Sequence, residues 1–430
     1  MNGLDSALDL APKSYSRYRE KKEETVEEKT YGNEIPVAKD VETGEIITVP
    51  HNGETRVLTV AKSGQGKTIL GKAYLSRLIA KGGKVFCGSD IKNDFQTFNY
   101  KDGPSKSLKE FTAGLLEGEQ KKIDRLKKQG KFTDVFSRRL GIPYFLKNKY
   151  DSPPRTYADI FSIGFEDVKE DDIKYLFKYD SWSQAQKEEF DDIILDKDNR
   201  ALSWGFLDRS LGQAGRSGEK IWKRLRKFKQ KGIIGDKGSS LNSFLDFEDV
   251  NLISLGLKGI DDYRLGGSQK IKFYSALAHR KVFQKVDNNE VSTPFCIFDD
   301  EVHEVAGASE ESAVTEELAI ALSRKGRQAG ISTWLSTQEP QKIPSEHDRS
   351  EHQFVSMTSH AFIGRGLTWP GYRTVFQAFR FYNSNDTQPL RDLKNGLDDG
   401  QFLYCDGEMD SIQDVRICEP LCPLVSHPEG

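Results

Sequence analysis

The chain reads as an α/β protein built on a mostly parallel sheet, and three stretches carry that reading. Val57-Leu58-Thr59-Val60 is a largely β-branched strand that runs into the glycine-bearing turn Ala61-Lys62-Ser63-Gly64-Gln65-Gly66-Lys67-Thr68, followed by a helix pattern from Ile69 to Lys81. Gly82-Gly83 stops that helix, and Lys84–Gly88 supplies a second short strand at once. Farther along, Phe295-Cys296-Ile297-Phe298 is a buried apolar strand that ends in Asp299-Asp300-Glu301. Strand, turn, helix and strand in succession fold as parallel βαβ units, in which ligands sit beyond the carboxyl ends of the strands.

At 430 residues the chain can form two or more structural units, or one large α/β domain with an insertion. Charged residues make up 30% of it but the net charge is only −3, which excludes a polycation that coats nucleic acid along its whole length. Contact with DNA or RNA has to come from a local patch. Five cysteines, without paired spacing, fit a reducing interior. Cys418, Cys422 and His427 do not form a recognised zinc pattern and are expected to be ordinary tail residues. With no signal-peptide pattern at Met1–Ser14 and no apolar run long enough to cross a bilayer, the protein is expected to be soluble and cytoplasmic.

Residues 1–30 are a polar tail of mixed charge with almost nothing to bury. Residues 31–105 form the first part of the core, opening on a small hairpin in which Ile35–Ala38 and Ile46–Pro50 flank a turn at Glu42–Glu45. Residues 106–245 change composition, show helical periodicity without a clean strand pattern, and are expected to be a largely helical insertion. Within them Lys220–Lys231 carries seven basic residues and no acid, with apolar positions at 221, 222, 225 and 228. That spacing makes one helix face apolar and the other positive, suited either to a phosphate backbone or to plain solvent. Residues 246–430 form the second part of the core, with strands at Val250–Leu255, Phe295–Phe298 and Ile331–Thr337, a helix over Ile271–Lys285, and strand-like pieces at 354–363 and 400–405.

The turn after the first strand has the composition of a phosphate cradle. Gly64 and Gly66 let backbone N–H groups converge, Lys67 can reach a β- or γ-phosphate, and the Thr68 hydroxyl can hold Mg²⁺. ATP contacts are therefore expected from Ser63, Gly64, Gln65, Gly66, Lys67, Thr68 and Ile69, with the dipole of the next helix aimed at the same anion. Ala61 stands where the pattern G-x-x-x-x-G-K-[ST] has its first glycine, and its side chain is small enough for such a turn. On the acidic strand, Asp300 is assigned to the metal and Glu301 to the attacking water; a shift of one residue would give Asp299 and Asp300 instead. Asp90 and Lys92 fall on the same rim, and Gln338 is placed to sense the γ-phosphate.

Three of these stretches together, at 61–68, 297–303 and Arg327–Gln338, resemble the HerA/FtsK superfamily of DNA-pumping ATPases, which includes conjugation ATPases and viral genome-packaging motors. Leu393–Pro420, with Gly400-Gln401-Phe402, is similar to the closing strands of that family. The resemblance covers about 55–105 and 245–420. It implies a RecA-like P-loop ATPase core, Mg²⁺-dependent hydrolysis of ATP bound between subunits, and a homo-oligomeric ring, commonly a hexamer, with double-stranded DNA through its pore. It also implies that Arg327 is the candidate arginine finger, with Arg324 and Arg365 as alternatives. The stretch before the cradle is shorter than a HerA-type barrel and shows no apolar span of the FtsK type, so neither of those branches is expected. The expectation is a virus- or plasmid-encoded packaging or transfer motor in the host cytoplasm, with a capsid or portal, secretion or nuclease partner.

Overall fold

Val57 and Leu58, adjacent on the strand β3 (Arg56–Val60), point to opposite faces of a sheet and are both buried, so layers of structure cover both sides. The computed structural model describes residues 33–90, 112–144, 158–176, 179–195, 202–235, 239–257, 267–291, 294–305, 330–342, 358–378, 396–406, 411–418 and 420–421. The polar tail expected over 1–30 lies outside them, and the described residues from Asn33 onward belong to one unit.

The hairpin expected at the start is present as β1 (Glu34–Asp40) and β2 (Ile46–Pro50), antiparallel, with Gly44 at φ 73° in the turn. The remaining strands are β4 (Lys84–Asp90), β5 (Arg138–Pro143), β6 (Ala158–Ser162), β7 (Ser239–Ser240), β8 (Leu252–Gly256), β9 (Phe295–Asp299), β10 (Ile331–Thr337), β11 (His360–Ile363), β12 (Gln401–Asp406) and β13 (Ser411–Ile417). All thirteen join one sheet in the order β2-β1-β13-β12-β11-β3-β10-β9-β4-β8-β5-β6-β7. From β11 across to β7 every pairing is parallel, and the four strands at the other edge are antiparallel. The architecture is therefore α/β with a mostly parallel sheet, as the sequence predicts. The strand after the cradle and the strand that ends in acids are not direct neighbours of β3: β10 is inserted between β3 and β9.

Helix α1 (Lys67–Ala80) starts two residues earlier than the apolar pattern suggests, because Gly66 at φ 97° turns the chain directly into it. Its Leu70, Tyr74, Leu75 and Leu78 pack on one face of the sheet with Val57, Phe298, Trp334 and Phe362. Gly71 is where the helix comes nearest: a Cβ there would lie 2.3 Å from the Phe298 ring. Gly71→Val is accordingly expected to destabilise the fold by about 1–3 kcal/mol through overpacking. Urea unfolding reads this directly, and an unchanged midpoint would show that the helix has room to move.

Residues 106–245 are largely helical, with α2 (Glu119–Lys128), α3 (Glu170–Leu176), α4 (Gln184–Leu195), α5 (Trp204–Gln213) and α6 (Gly215–Lys231). The expectation of no strands there is corrected, since β5, β6 and β7 lie in this region and extend the parallel part of the sheet. Gly141 interrupts the apolar pattern of β5 because the Phe244 ring occupies the space of its missing side chain, within 2.1 Å of where a Cβ would sit.

The second face of the sheet is covered by α7 (Gly267–Asp287), whose Phe273, Tyr274, Leu277 and Val282 share a core with Leu58, Val60, Phe86 and Ile297. Helix α8 (Trp369–Ala378) follows β11. No helix among the described residues is long and apolar enough to cross a membrane, and no group of three or more His, Cys, Asp or Glu among them is placed to hold a metal ion. Cys418 is buried, while Cys422 and His427 lie outside the described residues.

Candidate active site

The cradle is held open by its two glycines. Gly64 at φ 81° and Gly66 at φ 97° occupy left-handed backbone that side chains disfavour, and nothing lies within 4 Å of a Cβ built on Gly64, so the mouth of the turn is free. The turn is anchored to both neighbouring strands: the Ala61 N–H donates to the Thr337 carbonyl (3.3 Å) and the Lys62 N–H to the Arg365 carbonyl (3.1 Å). Lys67 is 4% exposed and folds back over the loop, donating to the Ala61 carbonyl at 2.9 Å and the Lys62 carbonyl at 3.4 Å. Ser63 is exposed, and Gln65, Thr68 and Ile69 are half-buried around the same turn.

Pleating decides which acids reach the cradle. Phe298 faces α1, so the next residue, Asp299, turns to the opposite face, where its carboxylate accepts from His279 Nε2 of α7 at 2.9 Å. Asp300 comes back to the α1 side, and the Thr68 hydroxyl donates to its Oδ2 at 2.9 Å. Of the two registers open in the sequence, the geometry brings Asp300 and Glu301 to the cradle and commits Asp299 elsewhere. His279 is fully buried; burial pushes its imidazolium down, but the Asp299 carboxylate and the hydrogen bonds to Asp299 and the Ser275 carbonyl outweigh that and hold its pKa above the ordinary value. Gly88 makes room for it, since a Cβ there would lie 2.0 Å from the ring. This histidine went unread in the sequence, being 20 residues upstream of Asp299 on another element.

Glu301 sits at φ 53°, a left-handed conformation that a non-glycine residue adopts only under constraint. The kink turns its carboxylate back toward the loop, where Oε1 lies 3.8 Å from Lys67 Nζ. Gln338, immediately after β10, bridges the two parts: its carbonyl oxygen accepts from the Ser63 N–H (3.2 Å), and its amide N–H donates to Glu301 Oε1 (2.6 Å). His303 stands behind, with Nδ1 2.9 Å from the Thr337 hydroxyl and 3.6 Å from Glu301 Oε2. Lys67, Thr68, Asp300, Glu301 and Gln338 are thus brought together at the carboxyl ends of β3, β9 and β10. The paired hydroxyl and carboxylate of Thr68 and Asp300 are hard oxygen donors of the kind Mg²⁺ takes, so the residues present fit that ion.

Arg365 also reaches the cradle, from its own chain. Its Nε donates to the Gln65 side-chain oxygen at 2.7 Å, Nη1 to the Leu397 carbonyl at 3.3 Å, and Nη2 pairs with Asp399. Arg324, Arg327 and Lys92 lie outside the described residues, and Asp90 closes β4 at the same edge of the sheet.

No protein-family model matches the chain, and no curated protein matches it. Among solved structures it is similar to VirB4 of Thermoanaerobacter pseudethanolicus, with a TM-score of 0.56 at 11% identity over 93% of this chain and 98% of that one. It is also similar to the bacterial conjugative coupling protein TrwB, with a TM-score of 0.49 at 12% identity over 92% of each chain. At 11% identity the likeness to VirB4 is one of fold: an α/β architecture on a mostly parallel sheet, the fold class expected from the sequence.

Proposed function

We propose that this protein is an ATP-hydrolysing motor of the HerA/FtsK type that translocates double-stranded DNA, acting as a homo-oligomeric ring, most simply a hexamer, in genome packaging or DNA transfer. One observation carries the reading: a glycine cradle, a buried lysine, a hydroxyl–carboxylate pair, a second carboxylate and an amide converge at the rim of three adjacent parallel strands. In this reading Ser63 to Ile69 wrap the phosphates of ATP and Lys67 swings from the loop carbonyls onto the β/γ-phosphates. Thr68 and Asp300 hold Mg²⁺, which when bound neutralises charge on the phosphate oxygens. Glu301 takes the proton of the attacking water.

Gln338 is the sensor. Its carbonyl now occupies the Ser63 N–H and its amide the Glu301 carboxylate; a γ-phosphate entering the loop competes for that N–H and re-aims the amide. Arg327 of a neighbouring subunit completes the site as the arginine finger, while Arg365, tied to Gln65 and Asp399, serves the cradle of its own chain. A nucleotide-binding switch that never hydrolyses has little use for a carboxylate held in a strained backbone conformation beside the cradle lysine.

The deciding experiment is ATP turnover with Mg²⁺, with and without long duplex DNA, alongside the native mass of the particle. The expected result is Mg²⁺-dependent turnover that rises severalfold with duplex, from a particle of several subunits. Turnover indifferent to DNA would remove the motor, and no turnover would remove the hydrolase.

A further inference from the structure

The strongest concentration of charge in the described residues lies away from the candidate active site, on α6. Its 17 residues include eight basic side chains and one acid, Glu219, in a chain whose net charge is −3. At 3.6 residues per turn, Arg216, Lys220, Lys223, Arg224, Lys227 and Lys231 fall within an arc of about 100° on one side of the helix. All six are exposed, and among the described residues none is ion-paired with a carboxylate. Like charges three and four residues apart repel one another and weaken a helix. The stripe is thus a local cost that a matching anion relieves.

Packing fixes the direction in which the stripe points. Ile221 and Leu225 on the opposite side are fully buried, Trp222 meets Trp204 of α5 with ring centroids 6.4 Å apart, and Gly218 lies so near the Leu211 carbonyl that an added Cβ would come within 2.2 Å. The apolar face is already spent on the protein's own core, so it is not available to sink into a lipid surface. Nor do aromatic side chains lie on the stripe for unpaired bases to stack upon, since Trp222 and Phe228 belong to the packed side. What the stripe offers is a straight row of cations about 22 Å long, the axial rise of some six to seven base pairs of a duplex. Lys and Arg arranged so bind phosphates without reading bases.

We propose that the outer face of α6 is a sequence-independent binding surface for the phosphate backbone of duplex DNA; the choice of duplex rests on the motor reading, whereas the polyanion chemistry rests on the helix alone. The test uses the full chain and a short fluorescent duplex, titrated by anisotropy across about 50–200 mM salt. In the variant Lys220→Gln, Lys223→Gln, Lys227→Gln, duplex affinity is expected to fall by about 10²–10³-fold, and the slope of log affinity against log salt to become shallower by about three. A charge-reversed set, Lys220→Glu, Lys223→Glu, Lys227→Glu, is expected to fall further, with melting temperature checking that each variant is folded. Reversal of Lys121 and Lys128, exposed on α2, is expected to leave binding unchanged. Wild-type affinity and slope in the folded glutamine variant would overturn the proposal. So would a wild-type chain that turns over ATP yet ignores duplex at low salt, or one that prefers phosphatidylserine vesicles to duplex. Absence of ATP turnover alone would strike the motor and leave this binding test intact.

Discussion

Glu301→Gln is expected to lower ATP turnover by about 10²–10⁴-fold, the usual worth of a general base, while ATP stays bound. The amide keeps the length of the side chain and can still meet Gln338, so the loop geometry survives, but it has no basic oxygen for the proton of the attacking water. Lys67→Ala is expected to act differently. It removes the cation that bridges the Ala61 and Lys62 carbonyls to the cradle, so both turnover and nucleotide affinity fall together. Equilibrium binding of radiolabelled ATP beside steady-state turnover separates the two. Wild-type turnover in Glu301→Gln would move the base elsewhere, and wild-type turnover in Lys67→Ala would dissolve the cradle assignment.

Arg280→Ala is expected to destabilise the fold by about 3–5 kcal/mol, far more than a surface substitution. Arg280 on α7 donates two hydrogen bonds, at 2.7 and 2.9 Å, to Asp172 of α3, whose side chain is 1% exposed. Removing the guanidinium strands a buried carboxylate whose other partner is the Lys169 N–H. This pair clamps the accessory region to the helix that also carries His279, so its loss is expected to loosen α3 before the sheet. Urea unfolding gives the total, and hydrogen exchange in Glu170–Leu176 gives the place. Recovery of most of the loss in Asp172→Leu, Arg280→Leu would identify the uncompensated charge as the cause, and a loss below about 1 kcal/mol would class the pair with screened surface pairs.

The parts of the molecule legible in the sequence are those whose signal is local. A β-branched run before two glycines, and four apolar residues before three acids, each specify an element and its neighbour within a few residues, and those elements lie where the pattern places them. What the pattern could not carry is anything settled across the fold. The choice between Asp299 and Asp300 needed the face on which Phe298 lies, which strand register sets, and Gly71 of another element makes the room for its ring. The strand β5 hid because Phe244 supplies the apolar bulk that Gly141 lacks. Arg365 meets Gln65 and Asp399 of its own chain, contacts made between residues hundreds and tens of positions apart that no single stretch displays.

The position of β10 has a mechanical corollary. All seven of its residues are buried, and it is hydrogen-bonded in parallel to β3 on one side and β9 on the other, so it is a stiff strut about 23 Å long that cannot shift without dragging both partners. Gln338 follows it directly, at the end that meets the glycine-bearing turn through the Ser63 N–H. A displacement of Ile331 at one end of this rod is therefore carried to Thr337 at the other, and so to the neighbouring Gln338 amide that holds the Glu301 carboxylate.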